Sequence, residues 1–109
     1  MLARRLPAAL VLALSLATLS TLATAAGRDH AVRIEGMKFV PERVEAAPGD
    51  TVTWTNADIV PHTVTATQAK IESGELAQGK TFRREFGKKG DVPYVCRLHP
   101  GMKGVVSVR

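Results

Sequence analysis

The segment "YVCRLHPGMKG", residues 94–104, holds the only cysteine of the chain, a histidine three places on and a methionine three places after that. Cys96, His99 and Met102 offer a thiol, an imidazole and a thioether. A spacing of three would align them on one face of a helix. Pro100, Gly101 and Gly104 oppose that, because proline lacks a backbone donor and glycine favours turns. The segment reads as a tight loop able to gather its side chains around one point. Thiolate with imidazole suits zinc or copper, whereas a thioether is a soft ligand rarely found in structural zinc sites. Two imidazoles, one thiolate and a weak axial thioether make the blue-copper electron-transfer arrangement.

That arrangement requires a second histidine. The chain has three histidines, leaving His30 and His62. His62 follows Pro61 in "NADIVPHTVT", where a loop meets the start of a strand, and Cys96 ends another strand. In a sandwich, strand ends of this kind can share one pole. His30 belongs to a polar leader, Gly27 to His30, and reads as a solvated tail histidine. Taken singly, the residues have bland readings: Cys96 as a small buried hydrophobe, His99 as a surface histidine, Met102 as core filler. Taken together, His62, Cys96, His99 and Met102 read as one metal site.

The elements that must position these residues are few, since 109 residues give room for one small domain. Residues 1–25 read as a secretory signal peptide: Arg4 and Arg5, an apolar run, then Ala23 and Ala25 as an A-x-A cleavage signal. Serines and threonines from Ser15 onward dilute the run below what a membrane anchor needs. The expected mature chain is therefore a single domain, residues 26–109, exported to the periplasm and not held in a membrane. Loss of Arg4 and Arg5 lowers the formal net charge from +5 to +3. With no long basic run and few aromatics, nucleic acid is not an expected partner. A domain this small often needs a staple, and one cysteine cannot form an internal disulfide.

Period-two alternation marks half-buried strands in "AVRIEG", around Val44, in "TVTWTN", "HTVTAT" and "TFRREFG", in "DVPYVC" and in "GVVSVR". Residues 68–78 read as a single helical turn or a loop over one edge. The expected class is all-β, a Greek-key β-sandwich or barrel of about seven to eight strands.

On the loop C-x2-H-x2-M, the upstream "PHTVT", the strand "PGDTVTWTN" and Tyr94 two places before the cysteine, the chain resembles the cupredoxins. These are small blue copper proteins with a type 1 site, and the resemblance is greatest to their amicyanin/plastocyanin branch. It covers about residues 31–109. It implies one type 1 copper ion with His62, Cys96 and His99 as equatorial ligands and Met102 as axial ligand. It also implies a monomeric electron carrier, not an enzyme, that meets redox partners such as a dehydrogenase or a c-type cytochrome in transient contacts. An apolar patch of Met37, Phe39, Ile59, Val60, Pro61 and Pro100 would surround His99. Lys38, Lys88, Lys89, Arg97 and Lys103 would steer an acidic partner. Where this branch commonly has asparagine after its first histidine ligand, this chain has Thr63, whose hydroxyl is expected to take over part of that work. A copper-trafficking or copper-resistance protein of the same fold is the alternative; such proteins often carry additional methionine or histidine clusters, and this chain has none.

Overall fold

Side chains alternate between buried and exposed along most strands, as the period-two pattern requires, and the strands stack into two sheets. The computed structural model describes residues 3–4, 8–9, 13–18 and 27–109. The expected Ala23/Ala25 cleavage signal and most of the leader lie outside the described residues. The strands are β1 (Asp29–Glu35), β2 (Lys38–Val40), β3 (Arg43–Ala46), β4 (Asp50–Asn56), β5 (Thr65–Ala66), β6 (Ile71–Glu72), β7 (Thr81–Phe86), β8 (Gly90–Cys96) and β9 (His99–Val108). Among the described residues there are thus nine strands, two of them only two residues long. A four-stranded sheet runs β2-β1-β4-β7 and a five-stranded sheet β3-β9-β8-β5-β6. Both are mixed: β1 lies parallel to β4 and β3 parallel to β9, and the other pairings are antiparallel. This is the expected all-β sandwich.

Strand β4 shows why the layers hold. Asp50, Val52, Trp54 and Asn56 point inward and the three intervening threonines outward. Trp54 is fully buried and meets Tyr94 of the opposite sheet edge-on, with ring centroids 5.4 Å apart. Phe39 packs edge-on to the same Tyr94 at 4.7 Å. Each such ring removes about 150–250 Å² from water, which dominates the stability of a core this thin. Phe39 is only 3% exposed. The expectation that it joins a surface patch is therefore corrected: it faces inward from β2, and its neighbour Val40 is the exposed residue.

Two more expectations change. The stretch Gly27 to His30 is not all leader, since β1 begins at Asp29 and His30 pairs with Val52 of β4. The His30 ring is not a solvated tail group either. Its Nε2 lies 2.9 Å from an oxygen of Asp50, and its side chain is 25% exposed. Between β5 and β6 the chain makes one 3-10 turn, Thr67–Ala69, closed by Lys70 in the left-handed region at φ 56°. A single helical turn thus stands at the start of the 68–78 segment, but the strand β6 and the bridge at Leu76 that follow in it were not expected. Among the described residues no helix is long and apolar enough to cross a membrane.

Candidate metal centre

Strand β8 ends at Cys96, Arg97 and Leu98 turn the chain, and His99 opens β9. Val95 pairs with Lys103, but Cys96 pairs with His99, so the register slips between Val95 and Cys96. In an unbroken ladder Cys96 would face Met102. Pro100, Gly101 and Met102 instead bulge out of β9. The tight loop expected over residues 94–104 is thus a two-residue turn followed by a bulge at the start of a strand. Proline cannot donate to a ladder and glycine tolerates sharp bends, which is why these residues occupy a bulge.

His62 arrives from a different part of the chain. It precedes β5 and is fixed by an isolated bridge to Leu76, with N–H···O bonds of 3.2 and 2.7 Å in the two directions. Asn56, fully buried, organises this corner: its amide donates to the carbonyls of Val60 at 2.9 Å and Leu76 at 2.8 Å. The expected alternation over "HTVTAT" fails here, because His62, Thr63 and Val64 are all buried. The chain has left the sheet and is wrapped on every side.

The His62 ring is held at both nitrogens. Nε2 lies 2.9 Å from Asp58 Oδ2, and Nδ1 faces Cys96 Sγ at 3.7 Å. Asp58 in turn accepts the backbone N–H groups of Gly36 at 2.8 Å and Met37 at 3.0 Å. Those two residues have positive φ, the pattern of a type I′ hairpin turn. The N–H groups of Met37 and Gly36 hold the Asp58 carboxyl below the usual carboxylate range. A carboxylate on the remote nitrogen fixes ring orientation and raises the basicity of the near one.

His99 Nδ1 also lies 3.7 Å from Cys96 Sγ, and the His62 and His99 ring centroids are 5.2 Å apart. Donor atoms of His62, Cys96 and His99 all lie within 4.8 Å of one another. An ion with about 2.3 Å to sulfur and about 2.0 Å to nitrogen spans S···N separations of about 3.5–3.8 Å at tetrahedral to trigonal angles. Both observed S···N separations fall in that range, so the residues fit such an ion. Met102 is buried on the bulge that follows His99 in β9. Cys96 is fully buried, and the Thr63 N–H donates to its sulfur at 3.3 Å. The Thr63 hydroxyl accepts the Arg97 N–H at 2.9 Å, so it pins the turn after the cysteine as expected.

Around the site Met37, Ile59, Val60, Pro61 and Pro100 are exposed, and His99 is partly so. Lys38 and Lys103 are exposed as well, and Arg97 is engaged by Glu72 at 2.7 Å, whereas Lys88 and Lys89 precede β8 at the end opposite Cys96, which corrects the expectation that they flank the site. Sequence reasoning missed Asp58, Asn56 and Glu72. Only Asp58 carried a local signal, four residues before His62.

The profile of copper binding proteins of the plastocyanin/azurin family matches residues 26–109. Amicyanin-alpha of Methylorubrum extorquens is 35% identical over 101 residues, which cover 88% of this chain and 85% of the relative. A Cu(I) form of an amicyanin mutant superposes with a TM-score of 0.71 at 30% identity, covering 76% of this chain and 83% of that one. The copper-containing nitrite reductase of Thermus scotoductus SA-01 shares the fold at a TM-score of 0.69 and 26% identity, covering 74% of this chain; this chain spans only 22% of that enzyme. The chain belongs to the copper-binding plastocyanin/azurin family, as a cupredoxin most like amicyanin with one type 1 copper site.

Proposed function

We propose that this protein is a blue copper electron carrier of the periplasm, with residues 26–109 as its mature domain after cleavage of the leader. His62, Cys96 and His99 would hold the ion, and Met102 would add a weaker thioether donor. Bound there, copper supplies one-electron chemistry by alternating between Cu(I) and Cu(II). The observation that carries this reading is the convergence of three donor atoms within 4.8 Å, two of them on fully buried residues.

The chain's own residues keep that donor set still. Asp58 fixes the His62 ring, the Thr63 N–H holds the Cys96 sulfur, and the Thr63 hydroxyl holds Arg97. A site that moves little costs little to reorganise when its charge changes. Burial of His62 and Cys96 excludes water, and the partly exposed His99 is the route by which an electron leaves. The apolar rim of Met37, Ile59, Val60, Pro61 and Pro100 suits a small, short-lived interface. Exposed Lys38 and Lys103 favour an acidic partner, such as a dehydrogenase or a c-type cytochrome, met by a monomer.

The test is the visible absorption of the purified protein after Cu(II) addition, followed by ascorbate and then ferricyanide. The expected result is an intense blue band that bleaches on reduction and returns on oxidation. Tight Cu(I) binding without a blue band would replace this reading with copper trafficking or resistance.

A further inference from the structure

Arg97, the residue after Cys96, is tied at both ends. Its backbone N–H donates to Thr63 Oγ1 at 2.9 Å, and its Nε donates to Glu72 Oε1 at 2.7 Å. Thr65 Oγ1 donates to the same Glu72 oxygen at 3.2 Å, and the Thr63 and Thr65 hydroxyls lie 2.9 Å apart. Because the Thr65 proton goes to Glu72, the Thr63 hydroxyl must be the donor to Thr65. The bonds close a circuit: the Arg97 amide to Thr63, Thr63 to Thr65, Thr65 to Glu72, and the Arg97 guanidinium back to Glu72. Each hydroxyl accepts once and donates once, an arrangement in which the bonds polarise one another. The carboxylate is itself anchored, since its second oxygen accepts the Gly74 N–H at 2.7 Å.

An exposed arginine–carboxylate pair taken alone contributes little to stability, and this one is 44% exposed on each side. What distinguishes it is the far end of the circuit, which grips the backbone of the turn between Cys96 and His99. The short hairpin β5–β6 places Glu72 opposite Thr65 in the ladder and so brings the carboxylate to that turn. We propose that Glu72 is a positioning residue for the metal site, acting through Arg97, Thr63 and Thr65 to fix the turn that carries Cys96 and His99. This rests on the copper reading given under Proposed function.

The test uses Glu72→Ala, Glu72→Gln and, as a control outside the circuit, Glu75→Ala. In the metal-free protein, amide exchange of Arg97 is expected to quicken about two- to fivefold in Glu72→Ala, with the core amide of Val52 unchanged. In the copper-loaded protein, Glu72→Ala is expected to displace the reduction potential. Glu72→Gln keeps an oxygen for Arg97 and Thr65 but turns its amide nitrogen toward the Gly74 N–H, and is expected to fall between wild type and Glu72→Ala in both properties. Glu75→Ala leaves both unchanged. Unaltered Arg97 exchange in Glu72→Ala would overturn the proposal. So would a Glu75→Ala variant that changes both properties as Glu72→Ala does, because charge and not the strap would then be the cause. A wild-type protein without a blue band would refute the copper reading alone, and the exchange arm would still decide the strap.

Discussion

Thr63 and Cys96 stand 33 positions apart in the chain, and the backbone N–H of one donates to the sulfur of the other at 3.3 Å. The same threonine accepts the Arg97 amide through its hydroxyl. One residue thus holds the cysteine and the residue after it. Thr63→Val keeps the shape and the N–H but leaves the Arg97 amide without an acceptor. We expect a loss of about 1–2 kcal/mol in denaturant titration and a shifted reduction potential, with Thr63→Ser close to wild type. A Thr63→Val protein with unaltered stability and potential would refute this role.

The proposed ligands Met102 and Cys96 should be separable by spectroscopy. Met102→Leu conserves volume in a buried position, so it should cost less than about 1.5 kcal/mol. It should keep a blue band and raise the potential, because loss of a donor disfavours Cu(II) more than Cu(I). Cys96→Ser should remove the blue band altogether while the far-ultraviolet circular dichroism stays that of the folded sandwich.

At the other end of β4, acid should loosen the protein through Asp50. The His30 ring, then the N–H groups of Ala47 and Arg28, bring its carboxyl from the usual 3.8 down to about 2. A carboxyl whose pKa is lower in the folded state favours folding above the unfolded value. That contribution is lost as pH falls from about 4 through 2. Thermal melts of wild type should therefore drop steeply over that window. Asp50→Asn, already weaker at neutral pH because its amide nitrogen cannot accept the backbone donors, should show a shallower decline.

Gly104 lies opposite Tyr94 in the β8–β9 ladder, and a Cβ at this position would be built into the Tyr94 ring and hydroxyl. Tyr94 cannot swing aside, being wedged against Trp54 and Phe39 and only 3% exposed. Gly104→Ala should cost about 1–3 kcal/mol through overpacking. Combining it with Tyr94→Leu should cost less than the two single changes added together, which chemical denaturation of the four proteins would measure.

Much of the metal site was legible because three of its proposed donors, Cys96, His99 and Met102, lie within one short stretch, where spacing and the Pro-Gly pair speak directly. His62 could be found by elimination among three histidines. Asp58, Asn56 and Glu72 could not, since their roles depend on loop contacts and on the pairing of β5 with β6, which no local pattern encodes. The same holds for His30: a polar neighbourhood looked like a tail, yet parallel pairing of β1 with β4 drew it against Asp50. Phe39 misled for a different reason. In a strand as short as β2, one buried position among three leaves alternation too little length to be read.

The parallel pairing of β3 with β9 joins Arg43 to Val105, 62 positions apart (105 − 43) in the chain. Contacts this remote form late, because a long stretch of chain must be closed before they return any stability. Strand β9 begins with His99 and carries Met102, and its turn places Cys96. A chain still being synthesised therefore has no assembled donor set. Three of the four proposed donors thus depend on β9 and its turn, so the donor set is complete only when that strand has paired.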